Sequence, residues 1–253
     1  MNQDPAQDEA DVTMAVAIHG VLREHPWIGQ VSADHDLDED LFSLAVKRAA
    51  AYGFSSTRFS AGAELGGQRW AHADAGGDWS QDGRERQLAW LTVYPATGLR
   101  HQQLPVLPMT RVLVDALRRV GTLEFTGLSV SAPLRLAADA RFDLVGDAAW
   151  YALAAPDART RVLVTVNGVA ATAQHLCEQA HERGHGLLKL DHAPNGLGSR
   201  NPESGAPTRP TFVCDVPEWT PDAAAWLAAV FVDSLRATGV RGTAEIEVTR
   251  FSH

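Results

Sequence analysis

Arg161-Val-Leu-Val-Thr-Val-Asn167 opens the stretch that decides the fold, which continues to Phe251. Along this stretch the hydrophobic residues recur with a period of two and then of 3.6, in the order strand, helix, strand, strand, helix, strand. Gly184 ends the first helix, and Thr220-Pro221-Asp222 begins the second with an N-cap residue, a proline at the first position and an acidic residue in the first turn. Each element therefore has its own start or stop signal.

A weaker copy of the same order runs from Val12 to Ala132. Val16-Ala-Ile-His-Gly-Val21 echoes Val164-Thr-Val-Asn-Gly-Val169, and the segment from Met109 to Val120 has one strongly apolar helical face. We expect a loop from Arg23 to Asp36, then a helix that is capped by Asp36 or Asp38 and ends at Tyr52. Further strands are expected at 54–61, 68–75 and 88–94, a short strand pair at 142–153, and a bulge at Gly127 in the strand 122–132.

Two successive βαββαβ units predict an α+β fold of tandem ferredoxin-like domains. The predicted boundaries are a disordered N-terminus at 1–11, a first unit at 12–135 and a second at 136–253. This element order resembles that of fused dimeric α/β-barrels and of the paired domains in CRISPR RAMP proteins, although no sequence motif of either family is present. The resemblance implies a pseudo-dimeric α/β sandwich or barrel, in which the helix-free sheet faces are buried against each other or against a partner.

Composition excludes several classes of function. The net charge of −9 makes a nucleic-acid partner unlikely, since such binding relies on Lys and Arg. The only lysines are Lys47 and Lys189, and this arginine bias, with the many alanines, is typical of a GC-rich bacterial genome. Two cysteines cannot form a disulfide scaffold, and no apolar run is long enough to cross a bilayer. Without a signal-peptide pattern, we expect a cytoplasmic protein with no membrane partner.

Strand alternation indicates where chemistry could lie. In the second half one strand face is apolar and should meet the helices, while the other is polar; the polar face carries Thr165, Asn167, His185, Lys189, Asp191, Glu245 and Glu247. The corresponding face of the first half carries His19, Arg58, Trp90, Thr92, Tyr94 and Glu124. Facing each other, two such surfaces would form a small-molecule pocket. A solvated sheet face with cross-strand ion pairs explains the same pattern.

The candidate catalytic residues are His185, Glu124 and Glu247. His185 could serve as a general acid or base because imidazole titrates near neutral pH, although a surface role after Gly184 is an alternative. Asp191 lies about 20 Å from His185 along an extended strand, so a partner for His185 must come from another strand. The candidate substrate-binding residues are Arg58, Trp90, Tyr94 and Lys189.

No metal site is predicted. The His and Cys residues between His175 and His192 lack CxxC, HExxH and His-x-His spacing, even though Cys177 and His181 are one helical turn apart. Nucleotide-binding and hydrolase motifs are absent as well, so the cofactor stays unknown. His72 and Asp74 are alternate residues on one face of a predicted strand. The pair could relay protons, or it could simply belong to the polar face of an edge strand.

Three functions follow from these features. The first is a cofactor-light enzyme of small-molecule or natural-product metabolism, performing a cyclisation, an isomerisation or an oxygenation. The second is a non-catalytic binding or assembly module whose open sheets pair with a protein partner, and a homo-oligomer is compatible with either. The third is a RAMP-like RNA-processing protein, which would need a basic groove along Arg183, Arg200 and Arg209.

Overall fold

The computed structural model describes residues 12–35, 40–55, 69–95, 103–134, 160–168, 173–184, 188–193 and 209–251. In these residues, eight strands form one antiparallel sheet in the spatial order β2-β3-β1-β4-β8-β5-β7-β6. The strands are β1 (Met14–Glu24), β2 (Trp70–Gly76), β3 (Arg86–Pro95), β4 (Gly121–Pro133), β5 (Thr160–Asn167), β6 (Lys189–His192), β7 (Thr211–Val216) and β8 (Thr243–Arg250). The fold is therefore mixed α+β, as the sequence predicted.

Five helices accompany the sheet in the described part of the chain. They are α1 (Pro26–His35), α2 (Leu41–Ala51), α3 (Val106–Val120), α4 (Ala173–Arg183) and α5 (Pro221–Ala237). Helices α2, α3, α5 and α4 pack side by side in that order, over the same side of the sheet. Helix α5 lies in the middle of this layer, and every residue from Ala223 to Arg236 is buried. None of the described helices is both long and apolar enough to cross a bilayer.

Local sequence signals explain two helix starts. Thr220 caps α5 by accepting a hydrogen bond from the backbone N–H of Ala223 at 3.2 Å, with Pro221 at the first helical position. Asp40 caps α2 in the same way, accepting from the N–H of Ser43 at 2.7 Å. The predicted caps Asp36 and Asp38 are therefore wrong, by four and two residues respectively. The loop predicted from Arg23 to Asp36 is also wrong, because α1 starts at Pro26, where a missing N–H is no disadvantage.

The alternation of strand residues is confirmed in the described strands. Val164, Ile246 and Val16 are buried beneath the helix layer, whereas their neighbours at odd positions point to the opposite face. We call that opposite side the open face, since none of the described helices packs on it. On the open face, cross-strand neighbours include Ala17, Trp90, Ser129, Glu247 and Thr165.

The two halves share one sheet. Strands β1 to β4 have the order β2-β3-β1-β4, and strands β5 to β8 have the matching order β6-β7-β5-β8. They meet where β4 pairs with β8, from Gly127↔Thr249 to Pro133↔Thr243, and we call this pairing the seam. The described strands thus meet edge to edge, and the predicted pair of sheet faces packed against each other does not occur among them.

Several predicted features lie outside the described residues. These are the N-terminus at 1–11, most of the strand at 54–61, the strand pair at 142–153 and the boundary between the halves at 135/136. Ser55 is described and forms an isolated parallel bridge with Trp70. The predicted bulge near Gly127 is present, as a register shift between β1 and β4 at His19/Gly20.

Candidate functional site at the seam

A shallow depression of about 200 Å³ lies on the open face, across the seam. Its floor is made of small residues on β1 and β4, and the side formed by β8 and β5 carries two carboxylates and an amide. The lining residues are Ala15, Ala17, Ser129, Val130, Ser131, Asn167, Glu245, Ile246 and Glu247. We call this the seam depression. It exists because alanines on β1 and serines on β4 leave the backbone uncovered between longer side chains.

Two cross-strand rows of residues build the seam depression. In one row, Ser129 pairs with Ala17 on one side and with Glu247 on the other, and in the next row Ser131 pairs with Ala15 and Glu245. Directly paired residues on one face have Cβ atoms about 4.5–5.5 Å apart. The hydroxyl groups of β4 therefore lie beside the carboxylates of β8.

His19 lies at the edge of the seam depression. Its Nε2 atom is 2.9 Å from the Oγ of Ser129, so the two groups share a hydrogen bond whose direction depends on the imidazole tautomer. Burial lowers the pKa of His19 below its ordinary 6.5, against smaller opposing effects of the Glu247 and Glu85 carboxylates. The imidazole is therefore neutral at pH 7 and can accept a proton.

The loop between β2 and β3 holds one of these carboxylates near His19. Glu85 accepts a hydrogen bond from the hydroxyl of Thr126 at 2.7 Å. At the start of β3, Arg86 bridges Asp78 at 2.7 Å and also contacts Asp82 in this loop. Hydrogen bonds from Ser80 and then from Arg86 lower the pKa of Asp78, and those from the backbone of Arg84 and then from Arg86 lower the pKa of Asp82. The loop is thus tied down by its own ion pairs, and it presents Glu85 towards the open face.

Of the two predicted catalytic residues that the structure describes, Glu247 lines the seam depression and Glu124 does not. Glu124 lies on the open face, but five residues before Ser129, about 16 Å along β4, and its carboxylate is 4.0 Å from Arg23. His185 is outside the described residues, so its role stays a prediction. The structure therefore does not bring Glu124 and Glu247 together.

The predicted substrate-binding residues are spread over the sheet. Trp90 neighbours Ala17 across β1 and β3, but its ring covers Gly76 on β2, on the side away from the depression. Tyr94 is four residues further along β3 and is exposed. Lys189 is on β6, three strands from β8 and so about 14 Å away. Arg58 lies outside the described residues.

Sequence reasoning missed the serines of β4. Ser129 and Ser131 alternate with the buried residues Leu128, Val130 and Ala132, so their common face could have been read from the sequence. What the sequence does not reveal is that their strand pairs with β8. That pairing alone places them beside Glu245 and Glu247.

Two other polar sites fit a catalytic role less well. Ser55 and His72 share a hydrogen bond of 2.8 Å, yet both are buried under α2, where no substrate could reach them. A groove of about 490 Å³ on the helix side lies between Tyr52, Phe54 and the start of α5. Its Arg111 pairs with Asp222 at 3.0 Å, and its Asp115 pairs with Arg48, so these charges neutralise one another.

No group of three or more potential ligands is arranged to hold a metal ion among the residues that the structure describes. Cys177 and Cys214 are free thiols, and burial raises the pKa of both, which makes them poor nucleophiles. No protein-family model matches the chain, and neither the curated proteins nor the solved structures include one that matches it significantly.

Proposed function

We propose that the chain is a small-molecule enzyme that works at the seam depression, with His19 as its acid/base group. The observation that carries this proposal is the 2.9 Å contact between His19 Nε2 and Ser129 Oγ at the edge of a concave, polar surface. A neutral imidazole bonded to a hydroxyl can take a proton from that hydroxyl or from a ligand held beside it.

The proposed chemistry is proton transfer, the step common to isomerisation and cyclisation. His19 would accept the proton, and the Glu247 and Glu85 carboxylates would stabilise the resulting imidazolium, since both act to raise its pKa. Ser129 would orient the ligand through its hydroxyl group. None of these steps requires His185.

We also propose that the two halves are ferredoxin-like units. The second half contains strand, helix, strand, strand, helix, strand, and the first half has the same order with one additional helix, α1, before α2. Each half places its strands in the same spatial order. The seam depression would then lie at the junction of the two units, where the equivalent strands β4 and β8 meet.

The rival functions have less support. An assembly module would present a flat apolar face, whereas the open face carries Thr92, Thr165, Asn167 and the two carboxylates of β8. An RNA-binding groove was expected to use Arg183, which instead lies close enough to the buried Asp233 to influence its pKa. Lys189 and Arg209 are exposed, but they are not accompanied by a described basic stripe.

Protein purified from its natural host tests the binding site. Native mass spectrometry of the wild type should show a retained small molecule. Ser131→Leu, which fills the seam depression with a larger side chain, should lose that molecule, while Thr122→Leu at an exposed position of the same strand should keep it. Retention of the molecule by Ser131→Leu would place the site elsewhere.

The retained molecule then serves as substrate for the catalytic test. His19→Gln should lower kcat by about 10²–10⁴-fold, the usual contribution of a general base. Because the base must be neutral, the wild-type rate should rise with pH to a plateau, with an inflection below 6.5. Unchanged turnover in His19→Gln would show that His19 does not carry the proton.

A further inference from the structure

One row of cross-strand neighbours on the open face connects Trp90 to the seam depression. From β2 to β4 the row consists of the pairs Gly76↔Trp90, Trp90↔Ala17 and Ala17↔Ser129. Trp90 therefore has a small residue on each side, and directly paired residues on one face have Cβ atoms only about 4.5–5.5 Å apart. An indole is large enough to cover either neighbour, Gly76 on β2 or Ala17 on β1.

The Trp90 indole lies over Gly76. A Cβ atom at position 76 would be 2.9 Å from Cζ2 of Trp90 and 3.0 Å from its Cε2 and Nε1 atoms, so a glycine is needed to leave room for the ring in this position. Trp90 accordingly does not line the seam depression, whereas Ala17 forms part of its floor. The floor beside Ser129 is open because the indole covers the neighbour on the other side of β3.

The backbone at Gly76 does not require a glycine. Its φ angle is outside the left-handed region, and β-branched residues suit a strand. At the next residue, Gly77, a Cβ atom would instead collide with the backbone carbonyl of Leu88, which cannot move without distorting the sheet. At position 76 the obstacle is a side chain that has other staggered conformations. A larger residue at 76 therefore displaces the indole rather than the strands.

We infer that the position of the Trp90 indole determines access to the seam depression, and that Gly76 is the positioning residue that holds the indole away from it. This inference rests on the proposed function, because it concerns entry to the same site. A side chain at position 76 would displace the indole across β3 onto Ala17, where the ring buries apolar surface that it would otherwise expose to water. There the ring would cover the floor beside Ser129 and keep a ligand from His19.

The test measures access to the floor of the depression with a chemical probe. Ala17→Cys places a thiol on the floor, and its alkylation by iodoacetamide is followed by peptide mass spectrometry, which separates it from alkylation at Cys177 and Cys214. Adding Gly76→Val should slow the alkylation at position 17 at least about tenfold, which corresponds to about 1.4 kcal/mol in favour of the covered position. Unfolding cannot imitate this result, because it exposes position 17 and accelerates the reaction.

Further variants in the Ala17→Cys background assign the effect to the indole. Adding Trp90→Ala to Gly76→Val should restore the original alkylation rate, because no ring is left to cover the thiol. Trp90→Ala without a change at Gly76 should leave the rate as it was, since the indole already lies over Gly76. The matched control is Ala71→Val, which adds a β-branched side chain on the same strand but opposite Tyr94, and it should also leave the rate unchanged.

Three outcomes would overturn the inference. The first is an alkylation rate that Gly76→Val leaves unchanged or raises. The second is a slower rate that Trp90→Ala does not restore, and the third is an equal slowing by Ala71→Val. Each of them would leave the proposed function standing, because the probe reports access to the floor and not binding of a ligand. Failure of the proposed function itself would appear separately, as a retained molecule that survives Ser131→Leu.

Discussion

His72 is a buried histidine whose protonation opposes folding. It is 3% exposed, lies edge-on to the rings of Phe42 and Trp70, and shares its Nε2 with the Ser55 hydroxyl at 2.8 Å. Its Nδ1 is buried without a hydrogen-bond partner. Burial lowers the pKa of His72 from 6.5 to about 4, because the interior disfavours the charged imidazolium.

This shift predicts a loss of stability in mild acid. Between pH 6.5 and 4 the unfolded chain binds a proton at His72 and the folded chain does not, so the free energy of unfolding falls as pH falls through that window. The contribution is up to about 3 kcal/mol. Urea unfolding at pH 7 and near pH 4 should show it as a pH-dependent difference between the wild type and His72→Gln.

The matched control is His192→Gln, at an exposed position on β6. Its unfolding free energy should follow that of the wild type at both pH values, because the common titration of Asp and Glu affects both proteins alike. If His72→Gln loses as much stability in acid as the wild type, the imidazole does not cause the effect.

For a single residue, the sequence predicts which face of the sheet its side chain lies on better than it predicts which other side chains it contacts. Alternation places His19 on the open face, and the structure agrees. The 2.9 Å contact with Ser129 depends on the register of β1 against β4, which shifts next to His19. A one-residue shift moves every side chain to the other face, and no local pattern in either strand specifies where the shift occurs.

Helix α5 offers a comparison between a buried and an exposed ion pair. Asp233 and Arg236 are one turn apart, both are buried, and Nη1 of Arg236 donates to Oδ1 of Asp233 at 2.8 Å. Burial raises the pKa of Asp233, although Arg236 and Arg183 oppose that shift. At the other end of α5, Asp222 accepts from Arg111 with both side chains about half exposed.

The two pairs should respond differently to the same substitution. Asp233→Ala removes the carboxylate that balances a buried guanidinium and should lower the free energy of unfolding by about 3–5 kcal/mol. Asp222→Ala should lower it by less than about 1 kcal/mol, since solvent screens the exposed pair. Denaturant unfolding of both variants checks the contrast. Equal losses in the two variants would mean that burial does not set the strength of these pairs.

Element prediction succeeded where start and stop residues were explicit. Thr220 and Pro221 begin α5, and Gly121 follows the last residue of α3, as expected. Prediction failed at α1, because the pattern around Pro26 predicts a loop although proline also suits the first turn of a helix. A proline in a loop and a proline at the first position of a helix give the same local signal, so only the surrounding residues distinguish them.

At the scale of the molecule, alternation and element order predict the strands and the helix layer but not the seam. The apolar residues of β4 and β8 would face the helices whether their edges were free, paired with each other or paired with a partner. Backbone hydrogen bonds decide between these arrangements, and the side chains of a strand do not show which other strand its backbone groups pair with. The candidate site at the seam therefore could not be predicted from the sequence, even though Glu247 was among the predicted residues.

The seam should also make the two halves one cooperative unit. Ile246 on β8 is 1% exposed, pairs with Val130 on β4 and with Val166 on β5, and so belongs to the core of both halves. Helix α5 packs on both β4 and β8, and α3 packs on α5. Unfolding either half would therefore expose apolar surface that the other half covers.

Ile246→Ala should accordingly destabilise both halves together. Removing this buried side chain should lower the free energy of unfolding by about 2–5 kcal/mol. Hydrogen exchange followed by mass spectrometry can read β3 in the first half and β7 in the second, neither of which touches Ile246 through strand pairing. Both strands should lose protection by the same amount, because they open only when the whole sheet opens. If β7 loses protection while β3 keeps it, the halves are separate folding units and the seam is a contact between two finished domains.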